Sequence, residues 1–408
     1  MKCRNCKTEL SFELIDLGSA PPSNAYLNKN SLKSPENWFP LRVMICKKCW
    51  LVQTEDYTDA NLLFDSNYAY FSGFSESWLI HSKKYVQSMV ENYGINQFSM
   101  VVEVAANDGY LLQFFKELNI PCLGIEPTAS TAAAAKDKGI DIIQDFFGKD
   151  LSLKILEKYD KADLIVANNV LAHVPNINDF VQGFSILLSD HGIATFEFPH
   201  LLKLLLENQF DTIYHEHFSY LSLLTIKEIF SNNDLEIFNV EELPTHGGSL
   251  RVFVQKKESG NKKIKKSVNN ILSIEKETGL MDESFYLNFY KKAEKVKYEL
   301  ISFLINAKKD GKKVVGYGAA AKGNTLLNYA GIRDDLISYI VDRNPAKQEK
   351  FMPGSRIPIV SEDFLKKDRP DYILILPWNL KDELKEQLNY ARNWGAKILV
   401  ALPNLNFI

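Results

Sequence analysis

From about residue 75 the chain alternates between two hydrophobic periods. Residues 76–93 carry apolar positions at three- and four-residue spacing, which predicts a helix with one buried face. Met100-Val101-Val102-Glu103-Val104 then runs almost unbroken in β-forming residues, as a strand covered on both faces does. Similar short runs recur at Cys122–Glu126, Ile140–Ile143, Ala162–Ala167 and Gly192–Glu197, with helix-length segments between them. This order predicts a parallel sheet with helices on both sides. Residues 256–310 are rich in lysine and glutamate, with helical apolar spacing from Asn269 through Asp310, and predict a solvated helical connector. A second α/β series opens at Lys313-Val314-Val315-Gly316-Tyr317. The expected organisation is an α/β fold in four parts: a small module over 1–65, a central domain over 66–255, the connector over 256–310 and a second α/β domain over 311–408.

Bulk properties narrow the function. The 408 residues are 46% hydrophobic, ample for several cores, and carry a net charge of −3. No basic footprint suggests a nucleic-acid or anionic-lipid partner. The first residues lack an apolar signal core, and no apolar run approaches the ~18 residues of a membrane span. A cytoplasmic protein with no membrane partner is expected. Oligomeric state is not legible.

Four of the five cysteines form two pairs, Cys3-x-x-Cys6 and Cys46-x-x-Cys49. Two such turns complete a tetrahedral thiolate shell for structural zinc, with no open position for catalysis. The competing reading is a disulfide or redox pair, which a reducing cytosol disfavours. Cys122, in an apolar run, reads as a core thiol.

Two strand-end turns suggest nucleotide ligands. In the first, Glu103-Val104-Ala105-Ala106-Asn107-Asp108-Gly109 lies where a strand gives way to a helix, with backbone N–H groups free for a ligand. Glu126 ends the next strand, where a carboxylate can accept ribose hydroxyls. Asp145 and Phe146 end the third, where an acid can take an adenine amine and a ring can stack on it. The plainer reading is that Glu126 and Asp145 cap helices. In the second turn, Gly316-Tyr317-Gly318-Ala319-Ala320-Ala321 fits G-x-G-x-x-A, and Asp342 ends the following strand. Alone this suggests NAD, but Lys322, Gly323 and Asn324 at the helix start suit any nucleotide diphosphate.

The densest chemistry lies at Tyr214-His215-Glu216-His217, which holds two of the seven histidines. The quartet suits either metal binding or proton transfer. It is not H-E-x-x-H, and in a strand His215 and His217 would share a face with Glu216 turned away. His215 reads as structural. His81, His191 and His200 belong to no constellation, and His246 beside Gly247-Gly248 shapes a loop. Arg251 suits either a phosphate or a strand-end salt bridge.

Together these motifs resemble the S-adenosylmethionine-dependent sugar C-methyltransferases that build branched deoxysugars on nucleotide carriers. The likeness runs nearly end to end. It rests on the cysteine pairs with Asp16-Leu17-Gly18 and Pro21-Pro22-Ser23-Asn24, on Tyr68-Ala69-Tyr70-Phe71-Ser72, and on Asn107-Asp108-Gly109 with Gly124-Ile125-Glu126-Pro127. Asn168-Asn169-Val170-Leu171-Ala172-His173, the quartet, His246-Gly247-Gly248-Ser249-Leu250-Arg251, Gly316–Gly323 and Asp342–Gln348 follow in order. The chain departs from the common G-x-G-x-G donor turn, with Ala105, Asn107 and Gly109 at those places. The resemblance implies an N-terminal zinc module, a central class I methyltransferase domain of Rossmann type and a C-terminal Rossmann-like domain. It assigns S-adenosylmethionine to Glu103, Ala105, Asn107, Gly109, Glu126, Asp145, Phe146, Asn168 and Asn169. It assigns the nucleotide sugar to the second turn, with Arg251, Gly318, Lys322, Asn324 and Asp342.

Carbon methylation requires a carbon nucleophile, and the carbon beside the ketone of a 4-keto sugar carries an acidic hydrogen. A base, donors for the enolate oxygen and close alignment are needed. The family pattern makes His217 the base, acting on a 4-keto-deoxysugar, at C-3. Glu216 can orient it or hold a sugar hydroxyl, Tyr214 can donate to the enolate oxygen, His173 can reach the same pocket and Tyr70 can cover the methyl. The competing functions are an NAD-dependent sugar oxidoreductase, a sugar O-methyltransferase and a non-catalytic nucleotide-sugar binding protein.

Overall fold

The computed structural model describes residues 1–57 and 71–408. Tyr70, with the Tyr68-Ala69-Tyr70 motif, lies outside the described residues.

Among the described residues the central sheet has seven strands. Its order is Leu235–Leu243, Ser249–Lys256, Leu188–Pro199, Ala162–Asn168, Val101–Val104, Cys122–Ile125 and Asp141–Ile143. All five strands anticipated from the hydrophobic runs form, within a few residues of the expected ends, and pair in parallel. Chain order reverses on either side of Val101–Val104, which creates the crevice where open α/β sheets bind ligands. The edge hairpin Leu235–Leu243/Ser249–Lys256 extends the sheet, with Ser249–Lys256 antiparallel to Leu188–Pro199. Helix Glu76–Tyr93 forms as its periodicity predicts, and Gly94 ends it in the left-handed region.

The 256–310 segment is helical but is no solvated connector. Helix Lys266–Thr278 buries Val268, Ile271 and Leu272 in the core of the central domain. Helix Phe289–Lys309 buries Ala293, Val296, Leu300, Leu304 and Ala307 in the C-terminal core. Those five positions recur every three or four residues, so one stripe is apolar while the lysines and glutamates cover the other face.

The C-terminal sheet runs in the order Ile359–Val360, Ile340–Val341, Val314–Tyr317, Tyr372–Ile375, Lys397–Val400, Asn406–Phe407. The N-terminal sheet joins Phe12–Ala20, Phe39–Ile45 and Val52–Thr54, and its fourth strand, Ser219–Tyr220, comes from the segment that carries the quartet. Leu14, Ile15, Leu41, Val43 and Ile45 share one core with Phe210 and Ile213, and with Val315, Leu326 and Leu327 of the C-terminal domain. The quartet therefore sits where all three modules meet. Among the described residues no helix is long and apolar enough to cross a membrane.

Candidate active site

Residues 214–217 form a turn rather than a strand, closed by a hydrogen bond from His217 N to Tyr214 O (2.9 Å). The strand geometry considered for the quartet is thereby corrected, because its side chains leave in different directions. His215 turns to the carbonyls of Phe39 and Pro40, each 3.2 Å away, and packs edge-on to Phe39. It anchors the N-terminal sheet. Glu216 is buried, and its Oε1 accepts from Asn24 Nδ2 at 3.1 Å. Burial pushes its pKa up to about 7, against backbone and Asn24 hydrogen bonds that act the other way.

His217 is buried among rings. It lies 3.9 Å from the Tyr214 ring, 4.7 Å from that of His173 and 6.0 Å from that of Tyr220, centroid to centroid. Its Nδ1 is 2.8 Å from the carbonyl of Thr212. A carbonyl only accepts, so Nδ1 carries the proton and Nε2 presents its lone pair. Burial first, then repulsion from His173, holds His217 well below the usual imidazole range. His173 follows the strand Ala162–Asn168, and burial lowers it to about 4.

The donor-side turn has an unusual backbone. Ala105, Asn107 and Gly109 all have positive φ (58°, 50° and 74°), which turns successive peptide N–H groups around the strand end. Glu126 is buried, with Oε2 accepting from Asn107 N (3.0 Å) and Oε1 from Thr128 N (2.9 Å), so it braces this turn and the following helix. Ser72 N donates to Asn107 Oδ1 at 2.9 Å and brings the 71–75 segment over the turn. Glu103 is fully buried beside Tyr110, and burial raises its pKa well above the carboxylate range. Asp145 receives Phe146 N, and Phe146 is 48% exposed, open on the surface past the third strand. The Oδ1 atoms of Asn168 and Asn169 are buried acceptors with no donor among the described residues, at the end of the strand beside Val101–Val104. Two such acceptors, where chain order reverses in the sheet, fit the ammonium of a ligand such as S-adenosylmethionine.

On the C-terminal side, the residues expected to hold the sugar nucleotide divide into two groups. Lys322 Nζ lies 3.4 Å from His246 O and 3.0 Å from Asn379 Oδ1, and 4.7 Å over the Trp378 ring. Burial lowers its pKa to about 8. Trp378 Nε1 donates to Asp211 Oδ2 at 2.8 Å, and burial raises Asp211 to about 6. Thr325 of the same helix donates to Ile213 O at 2.8 Å, which docks helix Ala321–Ala330 on the quartet's segment. Asn324 is fully buried, and neither amide atom has a partner among the described residues. Asp342 and Gly318 form the second group. The Asp342 carboxylate accepts from Ala319 N and Asn344 N, both at 2.8 Å, while Tyr26 OH donates to Ala319 O at 2.6 Å. A Cβ on Gly318 would meet Pro377 at 2.5 Å, and one on Gly323 would meet Leu376 at 2.8 Å. Gly318 of the fingerprint and Gly323 in the following helix thus admit the Leu376-Pro377 loop.

A network absent from the sequence reading joins the two sides. Glu197 is fully buried, and its Oε2 receives His81 Nε2 (2.9 Å) and Arg251 NH2 (2.7 Å) while Oε1 receives Thr245 Oγ1 (3.0 Å). Burial pushes Glu197 up, but the His81 hydrogen bond and the Arg251 charge outweigh it and bring the pKa to about 2. Arg251 is therefore the strand-end salt bridge, stacked 4.7 Å over Tyr85. Trp78 packs 4.8 Å from His81, 5.6 Å from His246 and 5.9 Å from Tyr110. The signal available in sequence was His81 on the inward face of its helix, with a tryptophan three residues before it.

The four paired cysteines converge. Their sulfurs all lie within 4.8 Å of one another, with Cys3–Cys49 and Cys6–Cys46 at 3.5 Å. A tetrahedron of ~2.3 Å Zn–S bonds has edges of roughly 3.8 Å, so the cluster fits zinc. Gln53 Nε2 donates to Cys3 Sγ at 3.3 Å, an outer hydrogen bond of the kind that orients a thiolate ligand. Cys122 is partly buried, and burial raises its pKa to about 11.

A class I sheet with a closed cysteine cluster before it and a histidine-bearing turn beside it defines an S-adenosylmethionine-dependent methyltransferase. Three family models match the chain: a zinc binding domain over residues 3–64, a methyltransferase domain over 81–240, and the C-methyltransferase C-terminal domain over 244–403. C-methyltransferase NovU of Streptomyces niveus is 32% identical over 402 residues, which cover 98% of this chain and 95% of that protein. The chain belongs to this C-methyltransferase family. Among solved structures, magnesium protoporphyrin IX methyltransferase of Synechocystis with bound SAM aligns at 12% identity and a TM-score of 0.34, over 44% of this chain and 79% of that one. A SAM-dependent methyltransferase of Anabaena variabilis aligns at 14% identity and a TM-score of 0.36, over 43% and 85%.

Proposed function

We propose that the protein methylates a nucleotide-linked 4-keto-deoxysugar at the carbon beside its ketone, C-3. The observation that carries this reading is His217, whose Nδ1 is committed to Thr212 O so that Nε2 is left as a proton acceptor. S-adenosylmethionine would be held by the turn of Ala105, Asn107 and Gly109 and by Asn168 and Asn169, and would supply an electrophilic methyl that leaves a neutral thioether behind. His217 Nε2 takes the proton from the sugar carbon, and the C–H electron pair becomes the enolate that forms the new C–C bond. Because burial holds His217 neutral, the base is available well below neutral pH, but its low basicity makes stabilisation of the enolate oxygen necessary. Tyr214 donates to that oxygen, a role supported by its ring lying 3.9 Å from that of His217. Glu216, with a pKa about 7, holds a sugar hydroxyl or orients the base. Lys322 faces the same junction from the C-terminal domain and supplies positive charge for a diphosphate. The cysteine cluster holds structural zinc.

The test is incubation with methyl-labelled donor and a panel of 4-keto-deoxysugar nucleotides, followed by carbon NMR of the product. A methyl bonded to the carbon beside the ketone is expected. A methyl on oxygen, or no transfer to any acceptor, sinks the reading.

A further inference from the structure

We propose that Arg4, inside the first cysteine pair, is a positioning residue for proton abstraction: it ties the segment bearing His173 to the segment bearing His217. This inference rests on the reading of His217 as base.

The Arg4 side chain is buried. Its guanidinium directs its donors to three backbone carbonyls from three parts of the chain. Nε reaches Phe218 O (3.2 Å), NH1 reaches Pro175 O (3.2 Å) and NH2 reaches Thr54 O (3.0 Å), while Asp56 pairs with its charge. Phe218 directly follows His217, and Pro175 lies two residues past His173. Phe218 N also donates to Ala172 O at 2.8 Å, so the two histidine segments are clasped from both sides. Thr54 adds a second tie, with Oγ1 donating to His217 O at 3.0 Å and N donating to Phe218 O at 3.2 Å. The guanidinium also lies 4.9 Å over the Phe218 ring.

The cysteine turn fixes where this fork starts. Gln53 donates to Cys3 Sγ (3.3 Å) and accepts from Arg4 N (2.9 Å), so the backbone of Arg4 is set by the sulfur cluster. The three carbonyls are met from three different nitrogens of one rigid plane; an ammonium keeps the charge but offers its donors from a single atom and loses this geometry. A salt bridge to Asp56 alone would anchor the N-terminal module. The contacts to Phe218 and Pro175 do more, because they set the separation of two imidazoles whose centroids are 4.7 Å apart.

Arg4→Gln and Arg4→Lys in the full chain test this, with Thr54→Val as a variant that leaves the cysteine turn intact. The measurements are kcat and KM with the acceptor that turns over in the panel, donor affinity by calorimetry, zinc content, and the imidazole N–H resonance assigned by its loss in His217→Ala. Misplacing a base by about 1 Å costs roughly 10²-fold in rate. Both Arg4 variants are expected to lose about that much kcat, with KM and donor affinity within about threefold, zinc retained and the resonance shifted. Failure of Arg4→Lys to restore kcat is part of the expectation. If an Arg4 variant loses its zinc, the same kcat loss in Thr54→Val sustains the proposal, and unchanged kcat there overturns it. Wild-type kcat in Arg4→Gln, or a loss confined to KM, also overturns it. Full turnover by His217→Ala would instead remove the base assignment, which separates the two failures.

Discussion

The imidazole of His217 gives its Nδ1 proton to the carbonyl of Thr212 at 2.8 Å, and this bond within one turn selects the tautomer. His217→Ala should lower kcat by about 10²- to 10⁴-fold, the usual contribution of a positioned base. Donor affinity by calorimetry should stay unchanged. Turnover at the parent rate would exclude His217 from the proton transfer.

Glu216 gives a pH-dependent signature. Burial raises its pKa to about 7, from about 4.3 when unfolded. Folding therefore disfavours its ionised form: the penalty is absent below about pH 4, grows between 4 and 7, and is complete above 7. Glu216→Gln should be more stable than the parent by on the order of 3 kcal/mol at pH 8, and equal to it near pH 4. Urea unfolding at both values reads this, and a gap independent of pH contradicts it.

Glu197 behaves oppositely. Its pKa is lowered to about 2 through His81 and Arg251, so it stabilises the fold above its unfolded value of about 4.3, and that stability is lost as pH falls toward 2. Glu197→Gln leaves the buried Arg251 with only the partly exposed Glu241, 3.6 Å away, as a charge partner among the described residues, and should cost about 3–5 kcal/mol at pH 7. The gap should narrow below pH 4 in thermal or denaturant unfolding.

Lys322 should act on binding more than on chemistry. Replacing a charged hydrogen-bond donor by Gln removes about 1.5–3 kcal/mol, so Lys322→Gln should raise KM for the nucleotide sugar roughly 10- to 10²-fold, with kcat little changed. In the parent, KM should climb above pH 8 as Lys322, held at about 8, loses its proton. A flat KM from pH 7 to 9 would count against contact with the diphosphate.

Chelation at the cysteine cluster should reach the turn of residues 214–217. Strand Val52–Thr54 pairs with Ser219–Tyr220, directly after His217 and Phe218. Strong chelation should release one zinc per chain, lower the unfolding midpoint and abolish turnover, as a colorimetric zinc indicator and calorimetry would show. Cys46→Ser should do the same without chelator. A metal-free chain with parent stability would refute a structural zinc.

Much of the scaffold was legible because short apolar runs and helical spacing report burial locally. The five parallel strands and helix Glu76–Tyr93 follow from that. The cysteine cluster was legible because ligand spacing is itself a geometric statement. The connector misled because lysine and glutamate dominate its composition, while its buried face is a stripe of five positions from Ala293 to Ala307. The conformation of the quartet stayed open, since a turn and a strand of four polar residues look alike until His217 is seen donating back to the carbonyls of Thr212 and Tyr214. The Glu197–Arg251–His81 network joins residues far apart in sequence, and no local pattern encodes such a meeting.

The pairing of Ser219–Tyr220 with Val52–Thr54 also constrains how the chain is made. During synthesis the cysteine loop can close soon after Cys49 leaves the ribosome, yet the edge of Val52–Thr54 must wait for a strand translated much later. Leu14, Leu41 and Val43 wait longer still, for C-terminal partners such as Leu326 and Leu327. An open edge and an uncovered apolar face on a nascent chain invite association with other chains. Early metal capture would hold this unfinished sheet in register until its partners emerge, so zinc supply during translation should set the soluble yield.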